Sequence, residues 1–209
     1  MFRSRSSLLV VLLAACGGAQ KPAAPPSCPR EARISAQEDI AAIVTCTAFD
    51  RLTIRTGVAI DLTSLAKLER VTTLVVGPTL ALDHLSFPAL REVGDLTIQS
   101  NASLRGVFLP RLAMARNVTV AGNGQVTTVS LPRLARVTTS VRIEENGSLE
   151  VVDLSQLSTV ESLGIVNNAA LATLELPATL DTDSRVIEGN RALGELQPAG
   201  PTSGGRDHE

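Results

Sequence analysis

A reaction catalysed by this chain would need a base, a nucleophile or a set of metal ligands gathered in one place. The 209 residues hold only two histidines and three cysteines, so few arrangements need testing. His84 directly follows Asp83, and neighbours on a strand point to opposite faces, which separates the base from the acid that would orient it. Glu144 and Glu145 fail as a working carboxylate pair for the same reason and read as solvated turn residues. The other histidine, His208, sits in the C-terminal tail, so Cys28 and Cys46 lack partners for a zinc site. Ala121-Gly-Asn-Gly124 reads as a corner of the chain and not as a phosphate-binding loop. The expectation is no catalytic residue, no metal and no cofactor. Two recurring sets remain: the asparagines Asn101, Asn123, Asn146, Asn168 and Asn190, and the basic residues Lys67, Arg70, Arg91, Arg111, Arg116, Arg133 and Arg136.

Both sets belong to a repeat that covers most of the chain. Leu52, Leu74, Leu96, Val118, Val141, Leu163 and a degenerate Arg185 follow one another at spacings of 22 or 23. Two residues after each comes Ile54, Val76, Ile98, Val120, Ile143, Ile165 or Ile187. Further aliphatic columns begin at Ile60, Leu85, Leu65, Leu68 and Val71 and keep the same period. Steps of two and three within one repeat do not suit a helix bundle; they describe a coil of short strands and corners whose inward side chains stack on equivalents one turn away. Each turn would rise about 4.8 Å, the interstrand distance. Trp and Tyr are absent and Phe occurs four times, so Leu, Val, Ile and Ala must fill the interior, a composition that favours strands. The reading is a mostly β, parallel β-solenoid of about seven 22-residue turns. The asparagines stand five residues into the repeat, preceded in the first two turns by Gly57 and Thr79. Asparagine tolerates a left-handed backbone, and its amide can satisfy main-chain groups at a corner, so this column is read as a structural ladder. The basic residues fall fifteen to twenty residues into the repeat and would form a stripe facing anionic polysaccharide or lipid headgroups. Glu69 and Glu92 interleave with them, so the first reading is a solvated, partly neutralised face, with the binding stripe as its alternative.

The ends have a different character. Arg3 and Arg5 precede an apolar run from Leu8 to Leu13, and Leu13-Ala14-Ala15-Cys16 closes it with small residues before a cysteine. This run is shorter than the roughly 20 residues a spanning helix needs, so residues 1–15 read as a cleaved signal peptide. The four residues Leu13 to Cys16 resemble a bacterial lipobox. That resemblance implies lipidation of Cys16, attachment to a membrane through the anchor and, because Gly17 is not an inner-membrane retention aspartate, an outer-membrane location facing periplasm or surface. Residues 16–27 and 197–209, rich in Gly, Pro and Ala, read as a tether and a disordered tail. Export places Cys28 and Cys46 in an oxidising compartment, where a disulfide is expected, stabilising by roughly 3 kcal/mol. Ser35-Ala-Gln-Glu38 resembles a capping box opening a short helix, Asp39 to Ile43, that would cap the first turn. Net charge is −2 overall, which indicates no nucleic-acid partner.

Units such as Leu96-Thr-Ile98-Gln-Ser-Asn101-Ala-Ser-Leu104 and Leu163-Gly-Ile165-Val-Asn-Asn168-Ala-Ala-Leu171 resemble the core repeat of receptor L domains, relatives in pattern of leucine-rich repeats. Val107-Phe-Leu109-Pro110-Arg-Leu112 and Val129-Ser-Leu131-Pro132-Arg-Leu134 fit the same family, over residues 28–196. The resemblance implies a right-handed solenoid with an N-terminal cap and a sheet surface used for binding, and it carries over no ligand. The expected function is a noncatalytic envelope lipoprotein whose solenoid surface binds an envelope glycan or protein. Alternatives are a structural envelope protein without a ligand and, further off, an exported β-helix enzyme acting on carbohydrate.

Overall fold

Branched aliphatic residues at two- and three-residue intervals favour short strands joined by tight corners. The computed structural model describes residues 28–194 and contains little else. Its elements are β1 (Glu31–Ile34), α1 (Gln37–Ala41), β2 (Ala48–Ile54), a 3-10 turn (Thr63–Leu65), β3 (Arg70–Val76), β4 (His84–Ser86), β5 (Glu92–Gln99) and β6 (Gly106–Phe108). They continue with β7 (Met114–Ala121), β8 (Thr128–Ser130), β9 (Arg136–Glu144), β10 (Val151–Asp153), β11 (Ser162–Val166), β12 (Thr173–Glu175) and β13 (Ser184–Glu188). The long strands form one sheet in the order β1-β2-β3-β5-β7-β9-β11-β13, and the short ones a second in the order β12-β10-β8-β6-β4. Every pairing is parallel, and the register aligns Leu52, Leu74, Leu96, Val118, Val141, Leu163 and Arg185 across successive strands. This is the β-solenoid of about seven turns that the repeat anticipates. Cys16, the proposed tether and the tail lie outside the described residues.

The aliphatic columns make the core. In the turn beginning at Leu96, the side chains of Leu96, Ile98, Leu104, Val107, Leu109, Leu112 and Ala115 are all buried. A turn cannot cover this face alone; the turns above and below do so, which makes stability a property of the stack. The first turn departs from the pattern: Ile60 is only partly buried, and Leu62 occupies the interior instead. At the other end Leu174, Leu176 and Ile187 are partly buried, and Arg185 is exposed, as an inward position meeting water requires.

The asparagine column runs through this core as a hydrogen-bonded ladder. Asn101, Asn123, Asn146 and Asn168 are essentially inaccessible. The Oδ1 of Asn123 accepts from both the backbone N–H of Asn101 (3.1 Å) and its Nδ2 (2.8 Å). The same two bonds link Asn123 to Asn146, Asn146 to Asn168 and Asn168 to Asn190. Each Nδ2 also donates to a strand carbonyl of the preceding turn, as Asn123 does to Ile98 at 3.0 Å. Thr79 joins the near end by donating its hydroxyl to the Asn101 Oδ1. Two details correct the sequence reading. The residue in this column of the first turn is the buried Thr56 and not the exposed Gly57: Leu80 N–H bonds to the Thr56 carbonyl as Ala102 N–H bonds to that of Thr79. The left-handed backbone belongs to the residue before each asparagine, namely Ser100, Gly122, Glu145, Asn167 and Gly189, with φ between 57° and 70°. The asparagine amide therefore serves for its hydrogen bonds, while its neighbour turns the chain.

The N-terminal cap is more elaborate than expected. Before the helix comes β1, which pairs with β2 and adds a strand to the large sheet; its Glu-Ala-Arg-Ile sequence is too short to show a period. The helix is α1, Gln37–Ala41, two residues earlier than anticipated. Asp39, not Glu38, reaches back: its carboxylate accepts from the Ser35 and Ala36 N–H groups and from the Ser35 hydroxyl, at 2.8 to 3.0 Å. Ile40 and Ile43 bury against the first turn, and the Cys28–Cys46 disulfide, with Cα atoms 5.6 Å apart, ties the entry of β1 to the chain leaving the helix.

Replacing Asn123 by Ala orphans buried groups in three turns at once. The expected cost is about 3 to 5 kcal/mol, read as a lower urea midpoint at unchanged slope. A loss below about 1 kcal/mol, the worth of one ordinary hydrogen bond, would show that the ladder does not carry the corner.

Candidate binding surface

Inward residues are committed to the core, so any site lies on the columns that point out. On the large sheet one such column is Thr73, Asp95, Asn117 and Ser140, in register across β3, β5, β7 and β9. Its last three members are hydrogen-bonded to one another: Asn117 Nδ2 donates to Asp95 Oδ1 at 2.8 Å, and the Ser140 hydroxyl donates to Asn117 Oδ1 at 3.0 Å. Arg116 closes on the Asp95 carboxylate with Nε at 2.9 Å and with Nη2 in an ion pair. The hydrogen bonds from Arg116 and Asn117 hold the Asp95 carboxyl below its ordinary pKa. This outer ladder escaped the sequence reading because its members differ in type; the signal was their common place one residue before the Leu52 column.

The seven stripe residues are all exposed, yet they do not form one line. Lys67, Arg111 and Arg133 share a corner, with Ala89 in the intervening turn. There Arg111 and Arg133 border a shallow depression of about 420 Å³ whose other walls include Ala66, Pro88 and Pro110. Arg70 and Arg136 stand at the start of large-sheet strands, separated by Glu92 and Met114 in the same register. Arg91 lies one position before Glu92. Arg116 is taken up by Asp95. Among the described residues the other ion pair joins Arg142 to Glu144 at 2.9 Å, so Arg111 and Arg133 have no acidic partner there.

The remaining candidates for chemistry stay apart. His84 is exposed at the start of β4, its ring 6.3 Å from that of Phe108 and inclined to it by 24°. Glu144 ends β9 beside Arg142, and Glu145 occupies the left-handed corner position. Gly122, with φ of 62°, and the buried Asn123 make Ala121–Gly124 a solenoid corner. Among the described residues no three His, Cys, Asp or Glu side chains gather as metal ligands would, and no helix is long and apolar enough to cross a membrane. Comparison of the chain with family models, curated proteins and solved structures returns no match.

Because folding lowers the Asp95 pKa, its contribution to stability is complete above the unfolded value, about 3.9, and is lost as pH falls through the lower folded value. Asp95→Asn should therefore be less stable than the parent at neutral pH, and the gap should close in strong acid. A gap independent of pH in denaturation curves would assign the loss to packing instead.

Proposed function

We propose that this chain is a noncatalytic envelope lipoprotein, anchored through Cys16 in the outer membrane, whose solenoid surface binds an anionic glycan of the envelope. The observation that supports this most is the corner formed by Arg111 and Arg133. These two guanidinium groups occupy one position in successive turns, beside the depression bordered by Pro88 and Pro110, with no acid among the described residues to neutralise them. Stacking like charges at the spacing of neighbouring strands raises the local potential, and a polyanion laid along the turns would relieve it. The likeness of the repeat to receptor L domains agrees with a binding role for an outward face and names no ligand. Without Trp or Tyr, the surface lacks the usual anchors of a tight protein interface, which favours polar recognition.

Two measurements test this reading. Arg111→Ser with Arg133→Ser should weaken retention on immobilised anionic glycans by about tenfold, or 1.4 kcal/mol, and binding by the parent should fall with added salt. Retention that ignores both the substitutions and the salt would remove the arginine corner as the binding site, and no retention of the parent would point to a structural role. Cys16→Ser should move the protein from the membrane to the soluble fraction, since acyl chains supply the anchor; unchanged fractionation would remove the lipoprotein assignment.

A further inference from the structure

Opposite charges are sorted along the axis of the solenoid. From Leu96 to Ile143 the chain carries six arginines and no acid; from Glu144 to Ser184 it carries eight acids and no base. In a coil that advances one turn per 22 residues, a stretch of sequence is a slab of the molecule, so the central turns are basic and the C-terminal turns acidic.

Where the large-sheet strands begin, the two slabs share one face. Arg136 is bridged to Thr159, and Thr159 to Asp181, on successive turns, with Glu161 and Asp183 two residues further along. The acidic part is concave: Thr159, Glu161, Asp181 and Asp183, with Arg136 at its basic side, line a depression of about 250 Å³. The Thr159 hydroxyl in this lining is buried and has no hydrogen-bond partner among the described residues. The two ion pairs among the described residues, Arg116–Asp95 and Arg142–Glu144, use none of these acids; they leave Arg136 free at the strand starts, and Arg111 and Arg133 free at the adjoining corner three residues before them. Met114, 48% exposed, lies in the same register as Arg136, one turn before it, and offers an apolar contact beside it.

We propose that this face binds a second copy of the chain in antiparallel orientation, the acidic depression of each receiving arginines from the central turns of the other. A parallel arrangement would set like charges against like. The antiparallel one is a two-fold, uses the same patch on both partners, and closes at two. The complement that the acidic depression requires is present on the chain itself, which favours a second copy over another cationic partner. The inference goes beyond the glycan reading and shares only its arginines.

Sedimentation of the full-length chain tests it. The parent should dimerise reversibly, with a dissociation constant rising roughly tenfold or more between about 0.05 and 0.5 M salt. A charge reversal of the acids, Glu161→Lys, Asp181→Lys and Asp183→Lys together, should give a monomer. So should Arg111→Glu, Arg133→Glu and Arg136→Glu together. An equimolar mixture of the two variants should recover the dimer, which misfolded proteins would not do. A parent that stays monomeric at low salt, association that survives both reversals, or a mixture that fails to associate while both variants keep the parent's denaturation midpoint would each overturn the proposal. Glycan retention on the same variants separates the two readings: the acid reversal should leave it intact, and the arginine reversal should abolish it.

Discussion

A parallel coil must turn sharply within every repeat, and at a buried turn the backbone leaves the sheet ladder with its N–H and C=O groups still inside. That constraint is met here by a buried threonine hydroxyl in each of the first two turns and by one asparagine amide in each turn after them. From Asn123 on, each asparagine oxygen accepts from the backbone and side chain of the asparagine before it, and each Nδ2 returns a hydrogen bond to a strand carbonyl. The groups are sealed from water, so an unmade bond would cost the full desolvation penalty. Because every member serves two turns, the ladder also holds the turns in register with one another.

That division of labour explains how a turn can vary in length. One extra residue separates Asn123 from Asn146, and the ladder nevertheless continues without a break. The surplus emerges on the outer surface, where the pairing of β7 with β9 shifts between Ala115 and Asn117 and Thr138-Thr139 is accommodated. The corner is rigid and the bend of the large sheet is tolerant. The outward columns are thereby released from fold-keeping, and one of them, Asp95-Asn117-Ser140, has built a polar ladder of its own in weaker, partly solvated form.

The two ends of the stack meet the same hazard, an open strand edge, by different means. At the start, α1 and the Cys28–Cys46 disulfide enclose the first turn, with Ile40 and Ile43 completing its core. At the finish, Arg185 takes the place of an inward aliphatic side chain on β13 and remains exposed. A charge in that position discourages addition of another strand from a neighbouring molecule, because pairing would bury it.

The period of the aliphatic residues determined the fold, since only stacked, equivalent turns place Leu52, Leu74, Leu96 and their successors on one inward column; the asparagine column was legible for the same reason. What the period could not show was anything that breaks it: β1 has four residues and no repeat partner in sequence, Thr56 replaces the expected Gly57 because the first turn is offset, and Asp39 rather than Glu38 meets the helix start. The surface was the least legible part. Outward positions are not selected by a common core, so their types vary, and seven basic residues that looked like one stripe in sequence separate into a corner, a strand-start register and an ion pair once the chain is coiled. Sequence alone determined which residues are inside the regular turns; only the tertiary structure decided which residues fill the offset first turn and which exposed charges are neighbours, because that depends on how each turn bends before the next is laid upon it.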